Sequence, residues 1–129
     1  MPHVAFYRVV SDLKELDFPS GGNTQELTFN ATNDIVLNES SARPMVCFQM
    51  DPGSQNETPK AKIEVFVRHT AGDHKICEYN LSGETSRWTM EPVNPDWVGK
   101  GDNKLIFKAD VDVGKLVIRN VVVFYQRSV

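Results

Sequence analysis

Aromatic, arginine and asparagine side chains in the second half of the chain have the chemistry of a binding site for hydroxyl-rich ligands that also have an apolar face. Tyr and Trp rings can stack on the apolar face of a sugar, while Arg and Asn can hydrogen-bond its hydroxyl groups. Trp88 and Trp97 flank the Pro-rich segment 91–96. A structural role is the alternative for both rings, because Trp88 lies mid-strand and Trp97 could close one end of the fold. The predicted ligand-binding residues are Tyr79, Arg87, Trp88, Asn94 and Trp97.

Two carboxylates, Asp110 and Asp112, lie two residues apart in KADVDVG and therefore on one side of a strand. A glycosidase needs two acids across a cleft with separated pKa values, and a chain this short leaves little room for such a cleft. The chain has no Gly-rich phosphate loop and no G-x-S-x-G, H-E-x-x-H or C-x-x-C motif. We therefore predict that the protein is not an enzyme and has no catalytic residues.

His69, His74 and Cys77 bracket a tight turn with the spacing H-x4-H-x2-C. Imidazole and thiolate ligands suit zinc, but a structural zinc site usually has four ligands and this segment supplies fewer. The alternative is a solvated turn beside an inward-facing Cys. Cys47 and Cys77 each lie inside a predicted strand, so we expect free, buried thiols rather than a disulfide.

Composition excludes several classes of partner. The net charge is −3, and no cluster of Lys and Arg outweighs the acids, which argues against nucleic-acid binding. No apolar stretch approaches the roughly 20 residues needed to span a bilayer. The first residues lack the charged and apolar regions of a signal peptide. The localisation is therefore unknown, with the cytoplasm expected by default.

Short apolar or alternating segments separated by turn residues recur along the chain at spacings near ten residues, as in antiparallel sandwiches. We predict one domain, 1–129, forming an all-β antiparallel sandwich of eight or nine strands. One two-turn helix, SDLKELDF at 11–18, is the exception. The predicted strands cover 4–10, 26–30, 34–38, 44–50, 62–68, 75–81, 86–90, 104–109 and 115–126.

The last predicted strand is apolar on both faces, which is typical of the interior of a sheet. Regular alternation places Leu116, Ile118, Val122 and Phe124 on one side. A bulge at Asn120 would instead reset the alternation after that residue. Just before the preceding strand, Gly99 and Gly101 permit a sharp turn.

The order of these parts resembles the galactose-binding-like jelly roll of many carbohydrate-binding modules, over residues 44–126. The hairpin KIEVFVRH to KICEYNLSG is followed by SRWTMEPV, by DWVGKGDNKLIFKA and by a closing strand VIRNVVVFY. The resemblance implies a jelly-roll-like, non-catalytic, lectin-like module with a carbohydrate ligand. It also implies a structural calcium, which Asp110 and Asp112 could hold through oxygen ligands together with Asp51 or Asn103. The alternative is that this Asp-x-Asp pair serves only the chemistry of the turn. Homo-oligomers would strengthen weak binding at single sites.

A different class of function fits the same sequence. Exposed strand edges and apolar patches could join copies of the chain or bind a protein partner, as in a structural or assembly protein. The apolar excess of the last strand favours this alternative. A small hydrolase is a third hypothesis with no motif in its support.

Overall fold

The computed structural model describes residues 3–10, 15–37, 43–52, 60–70, 72–82 and 86–128, with side chains left out for 3–8 and 52. No helix in these ranges has the length and apolarity that crossing a membrane requires. The strands are β1 His3–Val9, β2 Leu16–Phe18, β3 Gly21–Ala31, β4 Met45–Pro52, β5 Lys60–Arg68, β6 His74–Ser82, β7 Arg87–Pro92, β8 Gly101–Val113 and β9 Leu116–Ser128.

The strands form two antiparallel sheets. Sheet A has the order β1-β9-β4-β7, and β2 pairs with β9 on the same side as β1, so the sheet is four strands wide. Sheet B has the order β3-β8-β5-β6. The predicted all-β antiparallel sandwich is therefore confirmed.

The inner faces of the sheets meet in one apolar core. In β5 the alternation predicted from the sequence is confirmed, since Ile63, Val65 and Val67 are fully buried. Phe48 of sheet A and Phe107 of sheet B pack edge to face, with ring centroids 5.4 Å apart and an interplanar angle of 89°. Such aromatic pairs add to the free energy gained by burying the rings, so this contact holds the two sheets together.

Two predicted elements need correction. The C-terminal part of the helix proposed at 11–18 is strand β2, because Leu16 and Phe18 enter the core on either side of exposed Asp17. Residues 11–14 lie outside the described ranges. Within the strand proposed at 34–38, Ile35 forms an isolated bridge with Arg127, and Val36 N–H donates to Gln126 O at 2.8 Å. Residue 38 also lies outside the described ranges.

A bulge in β9 decides which residues of that strand enter the core. Cys47 of β4 pairs with Val122, but Gln49 pairs with Arg119, so β9 has one extra residue between these pairs. Asn120 has a left-handed φ of 53°. The bulge alternative is confirmed. The residues that enter the core between the sheets change from Leu116 and Ile118 before Asn120 to Val121, Val123 and Tyr125 after it.

The turn before β8 is fixed by the fully buried side chain of Asn103. Its Nδ2 donates to the carbonyls of Gly99 (2.9 Å) and Gly101 (3.1 Å), and its Oδ1 accepts from Gly99 N–H at 3.0 Å. Gly101 has a φ of 86°, which favours glycine. The His69 ring packs so closely on Gly99 that a Cβ there would lie 2.1 Å from Nε2. The backbone therefore requires glycine at 101, whereas a side chain at 99 would displace the His69 ring.

Candidate functional site

The outer face of sheet A carries four of the five large exposed apolar residues of the described ranges. Residues paired across antiparallel strands share a face, so Trp88 lies beside Gln49, and Met90 lies beside Cys47, which in turn faces Val122. The exposed fraction is 59% for Trp88 and 62% for Met90. The large exposed apolar residues of the described ranges are Val9, Trp88, Met90, Val113 and Phe124, and all but Val113 belong to this face.

Polar side chains form a row next to Trp88 on the same face. Gln49 lies between Trp88 on β7 and Arg119 on β9. Its Nε2 donates to Asp51 Oδ1 at 3.0 Å, and its Oε1 accepts from Asn120 Nδ2 at 3.1 Å. These bonds fix the orientation of the Gln49 amide beside the indole ring.

Two carboxylates hold Arg119 at the end of this row. Arg119 Nη1 donates to Glu15 Oε1. Arg119 Nε lies 2.8 Å from Asp51 Oδ2, but the geometry is not aligned for a hydrogen bond, and the buried Nε has no hydrogen-bond acceptor among the described residues. The contact is therefore an ion pair that positions Arg119 on the face.

The row and the ring together can bind a ligand that has one apolar and one polar side. The Trp88 indole offers a flat apolar surface, and the amide and guanidinium groups offer donors and acceptors at fixed positions nearby. A pyranose ring has the matching chemistry, since its C–H groups form an apolar face and its hydroxyl groups are directed outward.

Tyr79 and Arg87 form a second group, where the edge strands β6 and β7 meet. The Arg87 guanidinium carbon lies 5.8 Å from the Tyr79 ring centroid. The Tyr79 hydroxyl lies 2.6 Å from Thr89 Oγ1, which donates to Glu91 Oε1 at 2.8 Å. Burial raises the pKa of Glu91. Both predicted residues thus lie on the inner side of β7, opposite to the Trp88 ring.

Trp97 and Asn94 belong to a third place, the 3-10 turn Pro95–Trp97. The half-buried Trp97 ring packs against the core and stacks on His74, with centroids 5.0 Å apart and an interplanar angle of 6°. Asn94 Oδ1 accepts from Asp96 N–H at 3.0 Å and caps the turn. The structure therefore separates the predicted residues into three places. The alternative of a core Trp88 is wrong, because β7 is an edge strand and its side chain at 88 faces solvent.

Asp110 and Asp112 are exposed on the outer face of sheet B. They line a shallow pocket of about 460 Å³ together with Lys60, Lys62 and Asn80. The further calcium ligands suggested from the sequence lie elsewhere, since Asn103 is buried and fixes its own turn, while Asp51 belongs to sheet A. Within the described ranges, no three His, Cys, Asp or Glu side chains are grouped as a metal site.

The suggested zinc ligands His69, His74 and Cys77 are likewise not grouped as a metal site within the described ranges. His69 Nδ1 lies 3.2 Å from Asp102 O, and His74 stacks on Trp97. Burial, with a smaller contribution from the charge of Glu91, raises the pKa of Cys77 to about 12. Both cysteines are free, as predicted, although Cys77 is only partly buried.

Sequence reasoning missed the polar row of Gln49, Asp51 and Arg119. The signal for the first two was present, because Gln49 and Asp51 interrupt an otherwise apolar strand at alternate positions. Arg119 could be placed beside them only after the bulge and the strand order were known, since both depend on pairing between distant segments.

No protein-family model matches the chain. No curated protein matches it either. Solved structures share its fold at low identity. The chain resembles part of dimeric latent PorU from Porphyromonas gingivalis, with a TM-score of 0.65 and 9% sequence identity. The match covers 98% of this chain but only 13% of PorU.

Two carbohydrate-binding modules have similar folds, and each match covers most of both chains. The first is TmCBM61, solved with β-1,4-galactotriose (TM-score 0.52, 15% identity, 98% of this chain and 89% of that chain). The second is CBM29_1, a family 29 module from Piromyces equi (TM-score 0.50, 13% identity, 96% and 91%). The fold of this chain therefore resembles that of carbohydrate-binding modules.

Proposed function

We propose that the protein is a non-catalytic, lectin-like carbohydrate-binding module that binds sugar on the outer face of sheet A. Trp88 is the stacking platform, and Gln49 and Arg119 hydrogen-bond the hydroxyl groups of the ligand. The observation that carries the proposal is the exposed Trp88 ring, 59% accessible, beside a row of polar side chains whose orientations are already fixed. Preorganised donors lower the entropy lost when a ligand binds.

The resemblance to carbohydrate-binding modules supports this proposal at the level of the fold. Support also comes from the outer face of sheet B, where lysines pair with Glu26, Glu64 and Glu78. The only large apolar side chain exposed on sheet B, within the described ranges, is Val113. Sheet A therefore offers the better stacking surface.

A glycan array followed by calorimetry on the best ligand tests the proposal. W88A should reduce affinity about five- to 150-fold, if a sugar stacked on an aromatic ring gains the about 1–3 kcal/mol that a stacked nucleobase does. W88Y should keep most of the affinity, because a phenol ring is also flat. M90A is the matched control, as it removes an equally exposed apolar side chain from the same strand face. Absence of glycan binding by the native protein, or equal losses in W88A and M90A, would reject the proposal.

An assembly protein is the second candidate function. The observation that favours it is the edge position of β7, the strand that exposes both Trp88 and Met90. Exposed apolar edges tend to pair with another strand. Sedimentation of the purified protein separates the candidates, because a stable oligomer without glycan binding supports assembly alone.

A further inference from the structure

Two residues of strand β7 direct their backbone groups away from β4. Val93 N–H donates to Pro44 O at 2.8 Å, next to the pair of Met45 with Pro92. In an antiparallel ladder the N–H and C=O groups of alternate residues point to the same neighbouring strand. Because the Val93 N–H points toward β4, the backbone groups of residues 87, 89 and 91 do so too. The N–H and C=O groups of Trp88 and Met90 then point to the free side of the strand, beside which the described part of sheet A has no further strand.

The side chains of β7 are complementary to those of a second, antiparallel copy of the same strand. Arg87 lies two residues before Thr89, and Glu91 lies two residues after it. Within the described residues, neither Arg87 nor Glu91 takes part in an ion pair. Glu91 is half-buried, and its carboxylate accepts a hydrogen bond from the neutral hydroxyl of Thr89 at 2.8 Å. A carboxylate in such a place is stabilised by a cation brought from outside the chain.

We propose that two copies of the protein pair through β7, antiparallel and with the two-fold axis at Thr89. Arg87 of each copy then lies opposite Glu91 of the other, and Trp88 lies opposite Met90. Trp88 and Met90 become hydrogen-bonded pairs across the axis, so their free N–H and C=O groups are satisfied. Two ion pairs, two apolar contacts and the backbone ladder all form in this single register.

Neighbouring registers do not satisfy the same groups. Opposite residues must face the same side of the sheet, so the axis can move only from Thr89 to Trp88 or Met90 within this strand. With the axis at Trp88, Arg87 lies opposite Thr89 and both charges stay unpaired. With the axis at Met90, Trp88 lies opposite Pro92, which has no N–H to donate. The register centred on Thr89 is therefore favoured by charge and by backbone bonding.

The pairing does not depend on the proposed function, but it has a consequence for it. The two outer faces of sheet A become one continuous surface. The two Trp88 residues form a diagonal pair at about 7–8 Å across the strands. A glycan chain could then contact both rings at once, and binding through two linked sites strengthens the overall affinity.

Charge reversal in sedimentation experiments tests the dimer and its register. R87E and E91R should each raise the dimer dissociation constant at least about tenfold, because each places like charges opposite one another twice per dimer. The double variant R87E/E91R should restore the native dimer. An equimolar mixture of the two single variants should form a heterodimer, since every charge then meets its opposite. K108E, a reversal on the outer face of sheet B, is the control and should dimerise as the native protein does.

Cysteine cross-linking tests the register even if E91R folds poorly. Thr89 lies opposite itself across the axis in a non-hydrogen-bonded pair, where the Cα atoms are about 4.5 Å apart, within disulfide range. T89C should give a covalent dimer under mild oxidation, whereas W88C and M90C should give little. Cys47 is buried and the pKa of Cys77 is about 12, so the native thiols contribute little background. A native protein that is monomeric at every concentration overturns the proposal, as does a dimer that R87E does not weaken. Neither result bears on glycan binding, which the array measures separately.

Discussion

Lys and Glu side chains pair across the strands on the outer face of sheet B, whereas the outer face of sheet A carries Trp88, Met90, Val122 and Phe124. Both faces belong to antiparallel sheets over the same core. A face whose charges are paired with each other offers a ligand only solvated polar groups. A face with exposed apolar side chains gains free energy when something covers it. The two faces therefore divide the surface into a solvated side and a side suited to binding.

The bulge at Asn120 places Val122 and Phe124, rather than Val121 and Val123, on the outer face of sheet A. Breaking the bulge gives the largest expected loss of stability. N120V places a β-branched residue at φ 53°, which should lower the free energy of unfolding by about 1–2 kcal/mol. It also removes the bond to Gln49, so glycan affinity should fall as well. Urea denaturation monitored by Trp fluorescence gives the free energy.

N120G is the matched control for this prediction. Glycine adopts a positive φ at little cost, so N120G should keep most of the stability while it loses the same bond to Gln49. A glycan affinity that falls equally in both variants assigns the binding effect to the amide. Equal free energies of unfolding for N120V and N120G would mean that the left-handed backbone at residue 120 does not strain a β-branched side chain.

The bulge also shows how far the sequence alone could predict the structure. Alternation within β5 and the turn residues between strands are local signals, and they correctly predicted most strands and the sandwich. The pairing partners of β9 and β4 are not local, so the row of Gln49 and Arg119 emerged only from the structure. Trp88 was open to two interpretations because an aromatic residue in mid-strand is buried in a central strand and exposed at an edge. The segment 16–18 has too few residues for periodicity to separate helix from strand.

The ion pairs of sheet B should contribute little individually, and removing the two that Lys75 makes sharpens the comparison of the two faces. Lys75 Nζ lies 2.7 Å from Glu78 Oε1 and 3.0 Å from Glu64 Oε2, and its side chain is 44% exposed. K75M should therefore cost less than about 1 kcal/mol at low salt. The difference from the native protein should vanish in 1 M NaCl, where the screening length is about 3 Å. K108M is the control, because Lys108 on the same face takes part in no ion pair within the described residues. A loss in K75M that persists in high salt would mean that packing of the Lys75 side chain, rather than its charge, holds this face together.

The smallest expected effect is on stability in acid. It concerns Asp34, whose carboxylate binds Arg127 at one end of sheet A. Hydrogen bonds from Arg127 and Thr32 lower the pKa of Asp34 from 3.8 to about 2. Because the folded pKa is below the unfolded one, this contribution to stability is complete above about pH 4 and is lost as the pH falls toward 2. The difference in melting temperature between the native protein and D34N should therefore be largest at pH 5 and shrink as the pH falls. R127Q removes the main cause of the low pKa and should reduce the dependence on pH in the same way. A difference between native protein and D34N that stays constant from pH 5 to pH 2 would show that Asp34 acts through its uncharged contacts.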